Sequence, residues 1–181
     1  MARNRLFLWL AIGTPYGILS FFFFKMAYPL VFGQEVVFEA EKSESRDYLI
    51  GDYLNLKYDF TFYDFATMPY KLAQKKYHYG DVLYILFDLD RQTAYARSKL
   101  LTDEKPHGEI YLRVHPRYSF ELADNTRPQA VAVELVSGLE NYYVSPELIR
   151  ELASVNKFGV RVRISPDGHG RIVGLAKQIL P

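Results

Sequence analysis

The sequence predicts an α+β protein that is mainly β, with one N-terminal transmembrane helix, a β-rich extracytoplasmic domain and one short helix near the C-terminus. Residues 6–24 contain no charged side chain, whereas the later sequence alternates polar and apolar residues in short runs. The chain also has 15 tyrosines and 13 phenylalanines, and aromatic side chains favour strands. We therefore expect a cytoplasmic N-terminus (1–5), a transmembrane helix (6–28) and one extracytoplasmic domain (29–181).

The charge-free run is long enough to cross a bilayer. As a helix it would rise about 28 Å, close to the roughly 30 Å of a hydrocarbon core. Arg3 and Arg5 precede the run and a single Lys25 follows it, which places the N-terminus in the cytoplasm. Three residues define the predicted anchor: Trp9 at the membrane interface, Pro15 at a kink, and Phe24 at the end of the run.

A cleaved secretory signal and a buried helix of a soluble protein are the alternatives for this segment. A signal peptide has the same basic start but a shorter apolar stretch and small residues at its cleavage site. Residues 24–28 contain no such pair of small residues, so we expect an uncleaved signal anchor. Either an anchor or a cleaved signal would deliver the domain outside the cytoplasm.

The remaining sequence predicts strands separated by turns. In residues 53–62 the even positions, from Leu54 to Phe62, are apolar and the odd positions from Asn55 are polar, as in a half-buried strand. In 109–115 the alternation places Leu112 inward and Tyr111 outward. The other predicted strands are 34–41, 82–87, 93–101, 130–136, 159–165 and 171–175. A turn is expected at 88–92, and a helix at 146–154 with Ser145 as its N-cap.

Residues 45–58 contain a short motif with Gly51, Asp52, Tyr53, Leu56 and Tyr58. This motif resembles the signature of the GDYXXLXY family of bacterial membrane-anchored proteins, and all the named positions of that signature are present. The resemblance continues with a second Gly-Asp pair before a strand and with residues 141–147, so it covers most of the chain. It departs at 44–45, where Glu-Ser replaces an Asp-Pro pair. The resemblance implies membrane anchoring and implies no activity.

The second pair consists of Gly80 and Asp81. At a strand entrance a glycine can adopt a backbone conformation closed to other residues, and an aspartate can accept backbone N–H bonds. We therefore interpret both Gly-Asp pairs as turn structures, with a binding role as the alternative.

Two arrangements suggest chemistry or ligand binding. Ser43 lies eight residues before Gly51, as the nucleophile does in signal-peptidase-like proteases, and Lys99 would then be the general base. The residues around Ser43 and Lys99 fit that dyad poorly. Exposed tyrosines would instead suit a small-ligand or polysaccharide module. The candidates are Tyr53, Tyr63, Tyr70, Tyr77 and Tyr79.

Composition argues against several function classes. Residues 26–181 carry 19 basic and 21 acidic side chains, so no nucleic-acid footprint is expected. The chain has no cysteine, which excludes disulfides and thiol chemistry. The four histidines lack zinc-site spacing, and 88–92 lacks the glycine and distant glutamate of a calcium loop. We expect no metal and no cofactor.

The leading functional hypothesis is a non-catalytic accessory or scaffolding subunit. We expect a single-pass protein of the bacterial inner membrane, with its domain in the periplasm or outside the cell. Its expected partners are the lipid bilayer and one or more integral-membrane subunits. Gly13, Gly17 and Ser20 are small residues of the kind that allow close helix packing in lipid. The alternatives are the membrane-bound serine peptidase and the ligand-binding module.

Overall fold

A computed structural model describes residues 2–42, 53–74, 76–90, 93–122, 132–145, 147–148 and 155–176. For residues 2–12, 26, 29 and 53 it describes the backbone alone. The described chain consists of an N-terminal helix followed by strands arranged in two main sheets. The predicted fold class, mainly β with one N-terminal helix, is therefore confirmed.

The N-terminal helix, α1 (Ala2–Phe32), extends four residues beyond the predicted transmembrane segment. It is continuous through Pro15, which membrane helices tolerate. Its segment Gly13–Phe32 has a mean hydropathy of 1.3 and is long and apolar enough to cross a membrane. None of that segment is buried inside the protein. This exposure distinguishes α1 from the core helix of a globular domain.

The described part of the domain is built almost entirely from strands. In chain order they are β1 (Gln34–Lys42), β2 (Tyr53–Tyr58), β3 (Phe62–Asp64), β4 (Tyr70–Lys71), β5 (Lys76–Tyr77), β6 (Leu83–Leu89), β7 (Ala96–Thr102), β8 (Tyr111–Pro116), β9 (Phe120–Glu121), β10 (Ala132–Val136), β11 (Asn141–Tyr143), β12 (Lys157–Ile164) and β13 (Gly170–Ala176).

These strands form a five-stranded sheet, order β11-β2-β1-β12-β13, and a six-stranded sheet, order β3-β10-β8-β6-β7-β4. The short β5 and β9 pair separately. Inward side chains of both sheets form one core, with Phe38 of β1 contacting Phe87 of β6 at 4.8 Å between ring centroids. Phe60 packs edge-on against both rings. An aromatic cluster therefore joins the two sheets.

The predicted strand 53–62 is wrong at its end, because the chain turns at residues 59–61. The Thr61 N–H donates to the Tyr58 carbonyl at 3.1 Å, and the Tyr58 N–H donates to Thr61 Oγ1 at 2.9 Å. As a result Thr61, which the alternation predicts to face solvent, is buried. Phe62, which the alternation predicts to face the core, is 44% exposed. The β6–β7 turn also comes later than predicted, since β6 continues to Leu89.

The alternation also predicts the wrong orientation for Tyr111. It is buried, not exposed, because the β12–β13 turn covers it: its hydroxyl donates to the Pro166 carbonyl at 2.8 Å, and Gly168 lies against its ring. The strand that carries Tyr111 was otherwise predicted correctly, with Leu112 and Val114 fully buried. The strands β3, β4, β5, β9 and β11 were not predicted.

The C-terminal hairpin is confirmed, with β12 and β13 antiparallel around the turn at 165–169. Gly168 has a φ of 83°, which explains the glycine in this turn. Before the hairpin, Glu147 and Leu148 are helical and the Leu148 N–H donates to Ser145 Oγ at 3.4 Å. This bond is the predicted N-cap; the rest of helix 146–154 lies outside the described residues.

Candidate functional site

The junction between α1 and the β domain is made by an arginine. Arg163 on β12 donates from Nη1 to the carbonyl oxygen of Leu30 in the last turn of α1. Its Nε lies 3.5 Å from Oε2 of Glu35, the residue directly opposite on β1. A cation at a helix C-terminus interacts favourably with the terminal carbonyl dipoles. Arg163 therefore fixes the end of the apolar helix to the five-stranded sheet.

Two residues of the Gly-Asp-Tyr motif, Leu56 and Tyr58, lie in the core of that sheet. Leu56 and Tyr58 of β2 are 1% and 2% exposed. The Tyr58 hydroxyl donates to the Leu139 carbonyl at 2.9 Å, and burial together with the nearby Glu140 carboxylate raises the pKa of Tyr58. Tyr53 pairs with Tyr143 at the far end of β2. Leu56 and Tyr58 thus stabilise the domain, while Gly51 and Asp52 lie outside the described residues.

The second Gly-Asp pair forms a closed turn before β6. Gly80 has a φ of 92°, and the Asp81 N–H donates to the His78 carbonyl at 3.1 Å, an arrangement typical of a type II turn. Asp81 Oδ2 accepts the His78 N–H at 2.7 Å. Nδ1 of His115 lies 2.9 Å from the Asp81 carbonyl oxygen. Each of these contacts involves a backbone atom of the turn, which supports the interpretation of this Gly-Asp pair as a turn structure.

A cleft of about 1080 Å³ opens beside β1, at the point where its neighbours diverge. On this edge, residues 40–42 of β1 pair with β2, whereas the Val37 N–H donates to the Ala94 carbonyl at 2.9 Å. Tyr95 forms a parallel bridge with Val37. The β6–β7 hairpin and β2 therefore diverge from one strand and leave the cleft between them.

The cleft carries both signs of charge. Its charged lining residues are Glu39, Glu41, Lys57, Asp59, Asp88, Asp90, Arg97, Lys99 and Lys157. Lys157 Nζ pairs with Glu39 and Glu41 at 2.9 and 3.1 Å. Burial raises the pKa of Asp59 despite hydrogen bonds from the hydroxyl and backbone of Ser98. The cleft was not predicted, because it depends on contacts between strands that are distant in sequence.

Two of the five tyrosines proposed as a binding surface are buried and cannot belong to one. Tyr63 and Tyr77 are each 1% exposed, which is a correction of the prediction. The Tyr63 hydroxyl donates to the Pro69 carbonyl, and the Tyr77 hydroxyl donates to Asp103 Oδ2 at 2.7 Å. Burial raises the pKa of both tyrosines to about 12, with the Asp103 bond contributing at Tyr77. Tyr70 and Tyr79 are exposed, and nothing is described of the Tyr53 side chain.

The geometry gives no support to the proposed serine-lysine dyad. Lys99 lies on the surface with its side chain 54% exposed, and its Nζ contacts Oε1 of Glu109 at 3.2 Å. A lysine general base must instead be buried away from such a partner. Ser43 lies outside the described residues. In the described part of the chain no group of three or more histidines and carboxylates is arranged to hold a metal ion.

The comparisons with known proteins give one match. The model of the family described as GDYXXLXY protein matches residues 15–175, which run from the middle of α1 to the end of β13. No curated protein and no solved structure matches the chain. The match includes the second half of α1, the core residues of β2 and most of the C-terminal hairpin, so it covers most of the chain, as the resemblance in the sequence implied. The chain belongs to the GDYXXLXY protein family.

Proposed function

We propose that this protein is a non-catalytic accessory or scaffolding subunit of an integral-membrane complex. It is anchored in the bacterial inner membrane by α1 and holds its β domain in the periplasm or outside the cell. The observation that carries this proposal is the exposure of α1: the apolar segment Gly13–Phe32 has no part buried against the domain. Such a surface needs lipid or another membrane protein to cover it.

The orientation follows from charge. Arg3 and Arg5 precede the apolar segment, and basic residues favour the cytoplasmic side. The β domain then lies on the opposite side. Arg163 supports the same arrangement, because its contact with Leu30 holds the domain close to the end of the helix. A domain held in this way would face a neighbouring membrane protein at a defined height above the bilayer.

One side of α1 suits a partner helix. Gly13, Gly17 and Ser20 recur at intervals of four and three residues and so share a helix face. A Cβ added at Gly13 or Gly17 would meet nothing within 4 Å. Small residues let helix backbones approach closely in lipid, where van der Waals packing drives association. We infer that this face contacts the integral-membrane partner.

Cross-linking in native membranes, followed by gentle extraction and mass spectrometry, tests the proposal. We expect an integral-membrane protein to co-purify in fixed ratio and to be lost when Gly13 and Gly17 are both changed to leucine. Ile18→Phe is the matched control, because it adds bulk about 140° around the helix from Gly13. Recovery of the wild-type protein alone, or equal loss in the control, would contradict the proposal.

The cleft beside β1 favours a second candidate function, a module that binds a polar ligand. Its mixed charges suit a molecule that carries charges of both signs, such as a short peptide. Arg97 is the clearest test, since it is exposed in the cleft and its side chain forms no ion pair with the described residues. Thermal shifts with peptides of alternating Glu and Lys should appear in the wild type and disappear in Arg97→Gln. No shift in the wild type would remove this candidate.

A further inference from the structure

An exposed phenylalanine ring lies inside the cleft beside β1. Phe62 is one of the residues that line the cleft, and it is 44% exposed. The other described phenylalanines of the β domain are buried or half-buried. The further exposed aromatic residues of the described domain are tyrosines outside the cleft: Tyr70, Tyr79, Tyr118 and Tyr143. An apolar ring in a concave and otherwise charged site is typical of a ligand contact.

The backbone fixes the direction in which this ring points. The strand β3 pairs with β10, with Phe62 opposite Glu134 and Tyr63 opposite Val133. Successive residues of a strand point to opposite faces. Tyr63 is 1% exposed and occupies the core face, so Phe62 points out of the core. The ring is therefore presented to the cleft by a paired strand.

A lysine lies over the Phe62 ring. Lys57 Nζ is 4.6 Å from the ring centroid, within the range of a cation–π contact. Lys57 is opposite Glu41 in the register of β2 and β1, but Glu41 contacts Lys157 Nζ at 3.1 Å. No carboxylate among the residues that the structure describes forms an ion pair with Lys57. An ammonium group without an anion therefore lies beside an exposed ring.

Other charged groups of the cleft already have partners within the protein. Lys157 Nζ contacts Glu39 and Glu41 at 2.9 and 3.1 Å. The Ser98 hydroxyl donates to Asp59 Oδ2 at 3.1 Å. These groups hold neighbouring strands together at the cleft wall. A ligand would therefore gain most at the lysine and the ring described above, where both groups still lack a partner of the type that a ligand can supply.

From this arrangement we propose that Lys57 and Phe62 select an extended peptide in which an aromatic residue lies two positions from an acidic one. Residues i and i+2 of an extended peptide face the same side about 7 Å apart, a spacing that suits two groups 4.6 Å apart on the protein. The aromatic ring of the peptide would pack against Phe62, and its carboxylate would pair with the Lys57 ammonium. This proposal rests on the second candidate function above and names the class of peptide that the cleft prefers.

Calorimetric titration of the full chain in a neutral detergent tests this proposal. The first probe is a peptide of alternating Glu and Lys in which the central Glu is replaced by Phe. The second probe has Ala in place of that Phe, and the third keeps the Phe but has Gln in place of the two nearest Glu residues. We expect the first probe to bind about tenfold more tightly than the second and about fivefold more tightly than the third.

Two variants separate the roles of the two side chains. Phe62→Ser should remove the preference for the first probe over the second, and Lys57→Gln should remove the preference for the first over the third. Tyr70→Ser and Lys76→Gln are the matched controls, because Tyr70 is 45% exposed, Lys76 is exposed, and neither lines the cleft. Both controls should bind the first probe within about twofold of the wild type. Equal melting temperatures of each variant and its control exclude unfolding as the cause.

Equal affinity of the wild type for all three probes, or the same loss in the controls, would overturn the proposal. Binding of the unsubstituted Glu-Lys peptide that Arg97→Gln abolishes would then leave the second candidate function standing. Binding of none of these peptides to the wild type would remove both. Co-purification of an integral-membrane partner is measured independently, so the accessory-subunit proposal is tested separately.

Discussion

Tyr95 lies across the outer face of β1 and reaches Gly159 on β12: a Cβ placed on Gly159 would meet the Tyr95 hydroxyl oxygen at 3.0 Å. The same Cβ would lie 3.0 Å from Val37 Cγ1 and from the Ala176 Cβ. Tyr95 lies at the end of the β6–β7 hairpin and forms a parallel bridge with Val37 of β1. A glycine at position 159 therefore lets the β6–β7 hairpin close against the five-stranded sheet and define one side of the cleft.

Gly159→Ala should consequently destabilise the protein. Three contacts at 3.0 Å leave no room for the added methyl group, and overpacking of this kind costs about 1–3 kcal/mol. The measurement is the free energy of unfolding of the full chain in detergent. Tyr95→Phe in the same background should restore part of the loss, because it removes one of the three clashing atoms. A neutral Gly159→Ala would show that the hairpin is not held in this position.

Gly80 gives a prediction about backbone conformation. Its φ of 92° is closed to most side chains, although a Cβ there would meet no atom within 4 Å. Gly80→Ala should therefore cost about 1–2 kcal/mol through strain alone. Gly80→Asn should cost less, because asparagine tolerates positive φ. Equal losses for the two variants in thermal unfolding would argue against strain as the reason for this glycine.

Tyr58 tests the structural role of the family motif. Tyr58→Phe leaves the buried Leu139 carbonyl without its hydroxyl donor, which should cost about 1–2 kcal/mol of stability. Tyr79→Phe is the control, since Tyr79 is 77% exposed and its change should stay within about 0.5 kcal/mol. Chemical denaturation of both variants measures the difference. Equal stability of the two would mean that the Tyr58 hydroxyl contributes nothing to the fold.

The lowered pKa of Asp103 leads us to expect that the folded protein loses stability in acid. Partial burial opposes ionisation, but hydrogen bonds from Tyr77 and from the backbone of Ala73 outweigh it and lower the pKa of Asp103 below its ordinary value of 3.8. Its folded pKa is thus below its unfolded pKa, so its contribution is present above about pH 4 and lost as the pH falls further. Unfolding midpoints measured between pH 6 and pH 3 should fall more steeply in the wild type than in Asp103→Asn. Parallel curves would contradict the assignment.

The parts of the fold that sequence predicts correctly are those encoded by neighbouring residues. The charge-free run marks α1, and Pro166, Asp167 and Gly168 mark the final hairpin. Alternation fails where a single hydrogen-bonding residue redirects the chain, as Thr61 does after β2. Burial of Tyr111 was missed because the covering turn lies about fifty residues later in sequence.

The site is harder to predict than the fold. Lys157 and Glu39 meet across 118 positions of sequence, and an isolated bridge joins Val37 of β1 to Tyr95, the residue before β7. No local pattern encodes either contact, so the cleft could not be predicted. The contact of Arg163 with the Leu30 carbonyl requires β12 to lie beside the end of α1. Arg161 and Arg163 alternate with apolar residues in the sequence, but that alternation does not show which end of the strand lies next to α1.

Membrane topology is the claim on which the functional account depends, and a cysteine-free chain makes it directly measurable. Two single-cysteine variants, Asn4→Cys before the apolar segment and Tyr79→Cys on the exposed surface of the domain, are treated with a membrane-impermeant maleimide in intact spheroplasts. We expect labelling at position 79 and none at position 4 until the membrane is permeabilised. Labelling at position 4 with protection at position 79, or release of the protein from washed membranes, would contradict it.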